Sequence, residues 1–398
     1  MRILAVLGTR PEIVKTAPVL NALKSYPPIE TKVCLSSQHK DLAIDFLNFF
    51  KITPDYDLKL NNQNLSPQKI ASLVSRRVEE IFRLWKPNWT LVQGDTSTAL
   101  GAALGSWRAQ IPVAHIEAGL RSPNPNSPFP EEKNRRIIDS LAQIHFAPLP
   151  LSAENLTREG VDSSRIFVTG NTGIDSLAQT LSLLEKNHHL KSKLNRKWNF
   201  LDSSRKLIFA TFHRRENLGR RLEKIFDVIL NLAKEEPIEI IYPVHPRPSI
   251  RALAEKKLKN APHVFLTPPL DYPSCVYLIK RAHLIITDSG GIQEEAPVLG
   301  KPLILARSLT ERPEGIVQGA AVLAPTAKAI ELYAKDLIRN SRLYERMARP
   351  RMIYGNGNAA SQIARVLSEL KTFPEPAEGR PRNHFLNKAS LNVPAVCV

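Results

Sequence analysis

The sequence predicts an α/β protein built from two doubly wound domains in tandem. The chain has 398 residues, and at roughly 100–200 residues per domain this length favours two domains. Short apolar runs, several of them rich in Val and Ile, alternate with longer amphipathic stretches such as residues 41–50 and 66–85. This alternation indicates parallel sheets covered by helices on both faces.

The apolar runs fall into two sets of about six predicted strands. The first set lies at residues 3–7, 32–35, 90–93, 113–116, 144–147 and 166–169, and the second at 207–211, 238–244, 264–266, 284–287, 303–306 and 321–323. Between them, residues 177–205 are polar and are expected to hold a helix and the connection between domains. Residues 372–398 contain four prolines and no periodicity, so we expect a disordered or loosely attached tail.

The composition is that of a soluble globular protein, with 43% hydrophobic and 23% charged residues. The three cysteines, Cys34, Cys275 and Cys397, are far apart, which excludes a disulfide framework and a zinc ribbon and suits a reducing cytosol. No stretch approaches the roughly 18 apolar residues of a membrane span, and the N-terminal run is interpreted as a strand rather than a signal peptide. We therefore expect a cytoplasmic protein without membrane insertion.

The net charge of +17, with a pI of about 9.8, permits nucleic acid, anionic lipid or phosphorylated small molecules as partners. No basic block is long and interleaved with aromatic residues, as single-strand binding surfaces are. Most of the basic residues are interpreted as surface charge that keeps the protein soluble, and no nucleic-acid partner is expected.

Ligands of parallel α/β sheets bind at the carboxyl ends of the strands. After the first run comes a turn that begins at Gly8, and Pro11 suits the start of a helix, whose N-terminus attracts anions. Arg10 and Lys15 add positive charge there. The alternative is a plain turn with solvated charges.

Three carboxylates follow runs of the first half or open its helices. Asp95 follows residues 90–93, Glu117 follows 113–116, and Glu131 comes directly after a proline, at a predicted helix start. Asp95 has the alternative role of a helix N-cap, and the others of a salt bridge. A carboxylate at the end of an apolar strand is costly unless it is paired or used. Because all converge on one sheet edge, they are candidates for acid/base catalysis.

The second half has the features of a nucleotide site. His213 follows the run at 207–211, and Ser289, Gly290 and Gly291 lie between a strand and a helix. Backbone N–H groups at the start of that helix can hold a diphosphate. Either Glu294 or Glu295, one turn later, can reach a ribose, and Arg312 after a further strand adds a cation.

Other nucleotide and hydrolase motifs are absent from the sequence. There is no GxGxxG dinucleotide fingerprint after a strand, no GxxxxGK[ST] loop, no HExxH and no GxSxG elbow.

The ordered set of motifs resembles the signature of the non-hydrolysing UDP-N-acetylglucosamine (UDP-GlcNAc) 2-epimerases, from residue 1 to about residue 370. The motifs are GTRPE (8–12), QH (38–39), GDT (94–96), EAGLR (117–121), FPEEKNR (129–135), TGNT (169–172), HRREN (213–217), DSGGIQEEAP (288–297) and TERPE (310–314).

The resemblance implies a GT-B fold of two Rossmann-like domains with the active site in the cleft between them. It divides the chain into residues 1–170, with the acid/base carboxylates, and 171–356, which bind UDP. A last helix at about 357–371 returns to the first domain. It also implies a cytoplasmic homodimer that interconverts UDP-GlcNAc and UDP-N-acetylmannosamine (UDP-ManNAc) for cell-envelope polysaccharide.

The resemblance also implies roles for the site residues. The catalytic candidates are Asp95, Glu117, Glu131 and His213. The substrate-binding candidates are Arg10, Lys15, Asp95, Glu117, His213, Ser289, Gly290, Gly291, Glu295 and Arg312. His213 either stabilises the departing UDP or protonates its phosphate. No metal or cofactor is expected, because nothing is oxidised and side chains and helix termini meet the anion.

Bacterial relatives bind a second UDP-GlcNAc as an activator, and the resemblance implies that site at Gln38, His39 and Gln63. Where relatives have an arginine beside that glutamine, this chain has Asn62, which argues against activation but not against catalysis. In relatives the uracil pocket often has an aromatic residue near the position of Cys275.

Three alternatives stay open at this point. A hydrolysing epimerase would release ManNAc and UDP, a GT-B glycosyltransferase would need an acceptor, and a basic nucleic-acid-binding protein is suggested by charge alone. UDP-2,3-diacetamido sugars are alternative substrates for an epimerase.

Overall fold

The computed structural model describes residues 1–37, 40–60 and 65–370. The predicted activator residues Gln38, His39 and Gln63, and the predicted tail at 372–398, lie outside the described residues.

The first sheet has seven parallel strands in the order β3-β2-β1-β4-β5-β6-β7. Its strands are β1 (Arg2–Leu7), β2 (Glu30–Leu35), β3 (Tyr56–Asp57), β4 (Trp89–Gln93), β5 (Val113–Ile116), β6 (Ile144–Ala147) and β7 (Ile166–Val168). The helices of this half are α1 (Arg10–Leu23), α2 (Lys40–Phe49), α3 (Pro67–Trp85), α4 (Ser97–Arg108), α5 (Glu131–Leu141), α6 (Pro150–Arg158), α7 (Thr172–Lys186) and α8 (His188–Lys197).

The second sheet has six parallel strands in the order β10-β9-β8-β11-β12-β13. Its strands are β8 (Lys206–Thr211), β9 (Ile238–Pro243), β10 (Val264–Thr267), β11 (Leu284–Thr287), β12 (Leu303–Leu305) and β13 (Ala321–Leu323). The helices are α9 (Arg220–Glu235), α10 (Pro248–Leu258), α11 (Tyr272–Arg281), α12 (Gly290–Val298), α13 (Glu314–Val317), α14 (Ala327–Arg339), α15 (Ser341–Met347) and α16 (Ala359–Glu369).

The predicted fold class is confirmed, with two corrections to its elements. The first sheet has seven strands rather than six, because the two residues of β3 are too few to form an apolar run. The polar segment at 177–205 holds most of one helix, α7, and all of a second, α8, rather than a single helix. Asn187 separates them and caps α8, since its side chain accepts a hydrogen bond from the Leu190 N–H.

Buried apolar clusters cover both faces of each sheet. One cluster, which includes Ile13 of α1, Leu177 of α7 and Ile292 of α12, lies between the two sheets. Separate clusters cover the outer faces, with Val78 of α3 in the first half and Phe226 of α9 in the second. The inner strands, such as β4, β5 and β11, are buried on both sides, which is why they appear in the sequence as continuous apolar runs.

The last described helix packs on the layer of the first sheet. Helix α16 contacts α1 and α7, and Asp175 of α7 accepts a hydrogen bond from the Ala360 N–H at 2.9 Å. The domain limits themselves stay a prediction. Within the described ranges, no helix combines the length and apolar character that crossing a bilayer requires.

Candidate active site

Four charged side chains from the two halves of the chain form a buried cluster, which we call the central ion cluster. Lys15 Nζ lies 2.6 Å from Glu117 Oε1 and 2.8 Å from Glu294 Oε2. Arg312 Nη2 lies 3.0 Å from Glu117 Oε1, and its Nε lies 2.5 Å from Glu294 Oε1. No side chain of the cluster is more than 9% exposed. The cluster therefore joins helix α1 and the end of β5 to α12 and the loop after β12.

Glu117 is held as a carboxylate by this arrangement. Burial alone would raise its pKa, but Lys15 and Arg312 outweigh burial and lower the pKa to about 2. The Gln93 side-chain amide donates a further hydrogen bond to Glu117. The backbone of Glu117 is left-handed, with φ of 69°, so the chain leaves the strand at this residue and turns its carboxylate into the cluster.

Asp95 lies in the turn between β4 and α4. The alternative role as an N-cap is wrong, because Thr96 caps α4 by accepting a hydrogen bond from the Ala99 N–H at 3.0 Å. The Asp95 carboxylate is instead paired with Arg135, and its backbone carbonyl accepts a hydrogen bond from Asn134 at 2.8 Å. Its side chain is 25% exposed, so the carboxylate remains accessible to a ligand.

Glu131 is the first residue of α5, as the sequence predicts. Among the described residues, its buried Oε2 has no hydrogen-bond partner. The neighbouring Glu132 has a different environment, since it is fully buried and pairs with Arg135 and Arg136. Both oxygens of Glu132 are thus occupied by ion pairs, whereas Glu131 keeps one oxygen free of protein partners among the described residues.

The sequence predicts an anion site at the turn that begins at Gly8, but in the structure the backbone N–H groups of this turn already have a partner, the side chain of Glu12. Glu12 Oε2 accepts hydrogen bonds from the N–H groups of Gly8 at 3.0 Å and Thr9 at 2.6 Å, and Oε1 accepts one from the Thr96 hydroxyl at 2.6 Å. Glu12 is fully buried, and burial raises its pKa to about 7. Because Glu12 occupies those two N–H groups, the group of this first turn that can bind a ligand is the side chain of Arg10. Sequence reasoning missed Glu12, although Thr9 and Glu12 have the spacing of a capping box.

Arg10 and Lys15, both on α1, have different surroundings. The Arg10 guanidinium lies 5.6 Å from the ring centroid of Phe46, and burial lowers its pKa. Lys15 lies in the central ion cluster, where its two carboxylate partners outweigh burial and raise its pKa.

His213 follows β8 and is anchored by Asp288. The backbone N–H of His213 donates to Asp288, and its Nδ1 lies 3.1 Å from Asp288 Oδ1. Burial would raise the pKa of Asp288, but His213 and other hydrogen-bond donors lower it. The His213 side chain is 37% exposed, so its ring is anchored through Nδ1 to Asp288 and is partly open to solvent. Asp288 was missed, although a carboxylate at the end of buried β11 is the same signal that identified Glu117.

The start of α12 has Ser289 as its N-cap and Gly290 and Gly291 as its first residues. A Cβ atom added at Gly291 would meet no atom within 4 Å, whereas one at Gly290 would lie 3.1 Å from Arg312 Nη1. The helix start is therefore open at Gly291 and adjoins Arg312 at Gly290.

The sequence left open whether Glu294 or Glu295 can reach the ribose, and the structure gives the two glutamates different partners. Glu294 belongs to the central ion cluster, whereas Glu295 accepts a hydrogen bond from the Tyr272 hydroxyl at 2.8 Å. Burial raises the pKa of Glu295 to about 7. In the parts of the chain that the structure describes, no group of three His, Cys, Asp or Glu side chains is arranged to hold a metal ion.

Of the three candidate carboxylates, Glu117 directly contacts the candidate diphosphate site, through Arg312. Asp95, Glu117 and Glu131 come from the first half of the chain, and the helix start at Gly291 and Arg312 come from the second. Carboxylates suit proton transfer, and cations with helix N–H groups suit the stabilisation of a departing phosphate.

Comparisons with known proteins identify the family of the chain. The family model described as UDP-N-acetylglucosamine 2-epimerase matches residues 21–368. The chain is 41% identical to the curated UDP-N-acetylglucosamine 2-epimerase of Escherichia coli K12 over 369 residues, covering 92% of this chain and 98% of that protein.

Solved structures give the same result. The UDP-GlcNAc 2-epimerase of Neisseria meningitidis bound to UDP-GlcNAc is 40% identical with a TM-score of 0.90, covering 93% of this chain and 100% of that one. The enzyme of Methanocaldococcus jannaschii in complex with UDP-GlcNAc and UDP is 32% identical with a TM-score of 0.82, at the same coverage. The two-sheet architecture is thus GT-B-like, and the chain belongs to the UDP-N-acetylglucosamine 2-epimerase family of isomerases.

Proposed function

We propose that the protein reversibly epimerises C2 of UDP-GlcNAc to give UDP-ManNAc, through elimination and re-addition of UDP. The observation that carries the proposal is the central ion cluster, in which the strand-end carboxylate Glu117 meets the cation Arg312 of the other half. Solved relatives with UDP-GlcNAc or UDP bound support the substrate class.

The chemistry requires the anomeric bond to break first. The C2 proton of the sugar is not acidic, because no carbonyl activates it directly. When the C1–O bond breaks, UDP leaves with the bonding electrons and C1 gains oxocarbenium character. A base then takes the C2 proton, and the C2–H electrons form the double bond of a 2-acetamidoglucal. Protonation of the opposite face of C2 and re-addition of UDP at C1 give the epimer.

The first half of the chain supplies the acid/base groups in this proposal. The proton leaves from one face of C2 and returns to the other, so more than one group is needed. Asp95, Glu117 and Glu131 are the candidates. When the diphosphate engages Arg312, Glu117 loses one of the two cations that hold its pKa at about 2. Substrate binding therefore raises the basicity of Glu117, at the moment when a base is required.

The second half of the chain holds UDP in this proposal. The N–H groups at Gly290 and Gly291, the Ser289 N-cap and Arg312 receive the diphosphate. Glu295 binds the ribose hydroxyls, while Arg10 and Lys15 on α1 add positive charge from the first half.

In this proposal the exposed side of the His213 ring faces the leaving group and donates a hydrogen bond to its phosphate. The structure fixes Nδ1 against Asp288, so Nε2 is the atom that acts.

The expected homodimer and the supply of cell-envelope polysaccharide are further proposals that rest on the family resemblance. Size-exclusion chromatography with light scattering tests the homodimer. Loss of ManNAc-containing polysaccharide after gene disruption tests the cellular role.

Incubation with UDP-GlcNAc in D₂O, followed by NMR of the products, tests the reaction. We expect UDP-ManNAc with deuterium at C2. Release of ManNAc and UDP alone would identify a hydrolysing enzyme, and protium retained at C2 would contradict the glucal route. Parallel assays with UDP-2,3-diacetamido sugars define the substituents that the site accepts.

A further inference from the structure

His115 is a fully buried histidine of β5 to which neither the motifs nor the proposed mechanism assign a role. Its Nδ1 lies 2.7 Å from Asp139 Oδ1, and its Nε2 lies 2.8 Å from the carbonyl oxygen of Gly94. Both ring nitrogens are therefore engaged, one by a carboxylate and one by a backbone carbonyl.

This pair of partners fixes the protonation of the ring. A carboxylate and a carbonyl oxygen accept hydrogen bonds and donate none, so each ring nitrogen of His115 must carry a proton. The ring is consequently an imidazolium cation inside the protein. Its charge is balanced by Asp139, whose pKa burial would raise but His115 and Arg121 lower.

The two hydrogen bonds connect the elements that carry the candidate catalytic carboxylates. Gly94 directly follows β4 and precedes Asp95, while Glu117 comes two residues after His115 itself. Asp139 lies on α5, the helix that begins at Glu131. One ring thus links two strand ends and one helix.

The His115 hydrogen bonds connect the two strands at the point where the backbone pairing of the sheet ends. The Gly94 N–H still bonds the Ile116 carbonyl at 2.9 Å, but Gly94 and Glu117 both have left-handed backbones, with φ of 70° and 69°. Beyond these residues the regular pairing of β4 and β5 ends. The His115 ring bridges the two strands at this point, behind the carboxylates.

We propose that His115, as a doubly protonated ring, is a positioning residue that fixes Asp95 and Glu117 relative to each other for the epimerisation. The inference rests on the proposed function. Displacement of a reacting group by about 1 Å costs on the order of 10²-fold in rate, and loss of the ring's two hydrogen bonds permits a shift of that size.

The neighbouring strand offers a matched control. His145 of β6 pairs in register with His115 and is 1% exposed. Its Nε2 lies 2.9 Å from the Asp139 carbonyl oxygen. His145 thus shares the burial and the strand position of His115, but it bonds neither strand end that carries a carboxylate. Arg121 and His145 also bond Asp139, the residue whose carboxylate faces His115.

The first test compares His115→Gln with His145→Gln for turnover and for UDP affinity. His115→Gln should lower kcat by about 10²-fold with UDP affinity close to wild type, because UDP is held mainly by the second half of the chain. His145→Gln should keep kcat close to wild type. Unchanged kcat in His115→Gln, or equal losses in both variants, would overturn the proposal.

The second test needs no substitution at His115. The ¹H–¹⁵N spectrum of ring-labelled protein should show one ring whose two N–H protons both exchange slowly with water, because both are buried and hydrogen-bonded, and the same signal should persist in His213→Asn. Absence of such a ring would overturn the proposal even if His115→Gln does not fold. If the wild type shows no epimerisation, the proposed function fails, while this spectrum reports on the His115 ring independently.

Discussion

Replacement of Gly291 by valine separates ligand binding from folding at the start of α12. Gly291 is the second residue of that helix, its φ is not left-handed, and an added Cβ would meet no atom within 4 Å. Valine has a slightly better helix propensity than glycine, by a few tenths of a kcal/mol. We therefore expect Gly291→Val to fold with a melting temperature no lower than that of the wild type.

The same side chain should weaken UDP binding strongly. It projects into the open space from which a diphosphate approaches the helix start. Loss of two hydrogen bonds to a charged group, at about 1.5–3 kcal/mol each, amounts to about 3–6 kcal/mol. At about 1.4 kcal/mol per tenfold change, UDP affinity should fall by roughly 10²–10⁴-fold. Uridine, which lacks the diphosphate, should lose far less.

Calorimetric titration with UDP and uridine, beside circular dichroism of both proteins, measures these effects. Gly290→Ala is the contrasting variant, because its Cβ would lie 3.1 Å from Arg312 Nη1 and acts through that arginine. If Gly291→Val binds UDP as tightly as wild type, the nucleotide does not lie on this helix. Equal losses for UDP and uridine would place the clash away from the diphosphate.

Three further predictions concern titratable groups. The first concerns the three candidate acid/base carboxylates, changed to amides in Asp95→Asn, Glu117→Gln and Glu131→Gln. Each variant should have a kcat about 10²–10⁴-fold lower than wild type, with UDP affinity nearly unchanged in titrations. Near-wild-type turnover in all three variants would refute the assignment. UDP affinity should rise as pH increases through about 7, where Glu295 ionises. Since the Tyr272 hydrogen bond lowers that pKa, Tyr272→Phe should move the midpoint upward in titrations across pH, and an unmoved midpoint would exclude Glu295 as the titrating group. Glu12 has a folded pKa of about 7, above its ordinary 4.5, so the folded state binds this proton more tightly than the unfolded state. Its contribution to the free energy of unfolding is largest below about pH 4.5 and falls by about 3 kcal/mol as pH rises through 7. Urea unfolding from pH 5 to 8 should show a smaller decline in Glu12→Gln, and an identical decline would contradict the prediction.

The sequence by itself determined the fold class and the edge where the site lies. Buried parallel strands must be apolar on both faces, so twelve of the thirteen strands appear as runs, and only the two-residue β3 leaves no trace. Because parallel strands end at one edge, the residues after the runs, including Asp95, Glu117 and His213, were identifiable as site candidates. Local capping chemistry was equally present in the sequence, because Thr9 and Glu12 have the spacing of a capping box within the GTRPE motif.

The tertiary structure alone decided which of these groups meet. Lys15 and Glu294 are 279 positions apart, and Glu117 and Arg312 are 195 apart, so their pairing depends on how the two sheets pack. Glu294 and Glu295 are neighbours in sequence, yet successive helical residues point about 100° apart. The rotation of α12 about its axis therefore sends one to the cations and the other to Tyr272. No local pattern encodes that rotation, because it is set by the packing of α12 against α7 and the apolar layer between the sheets.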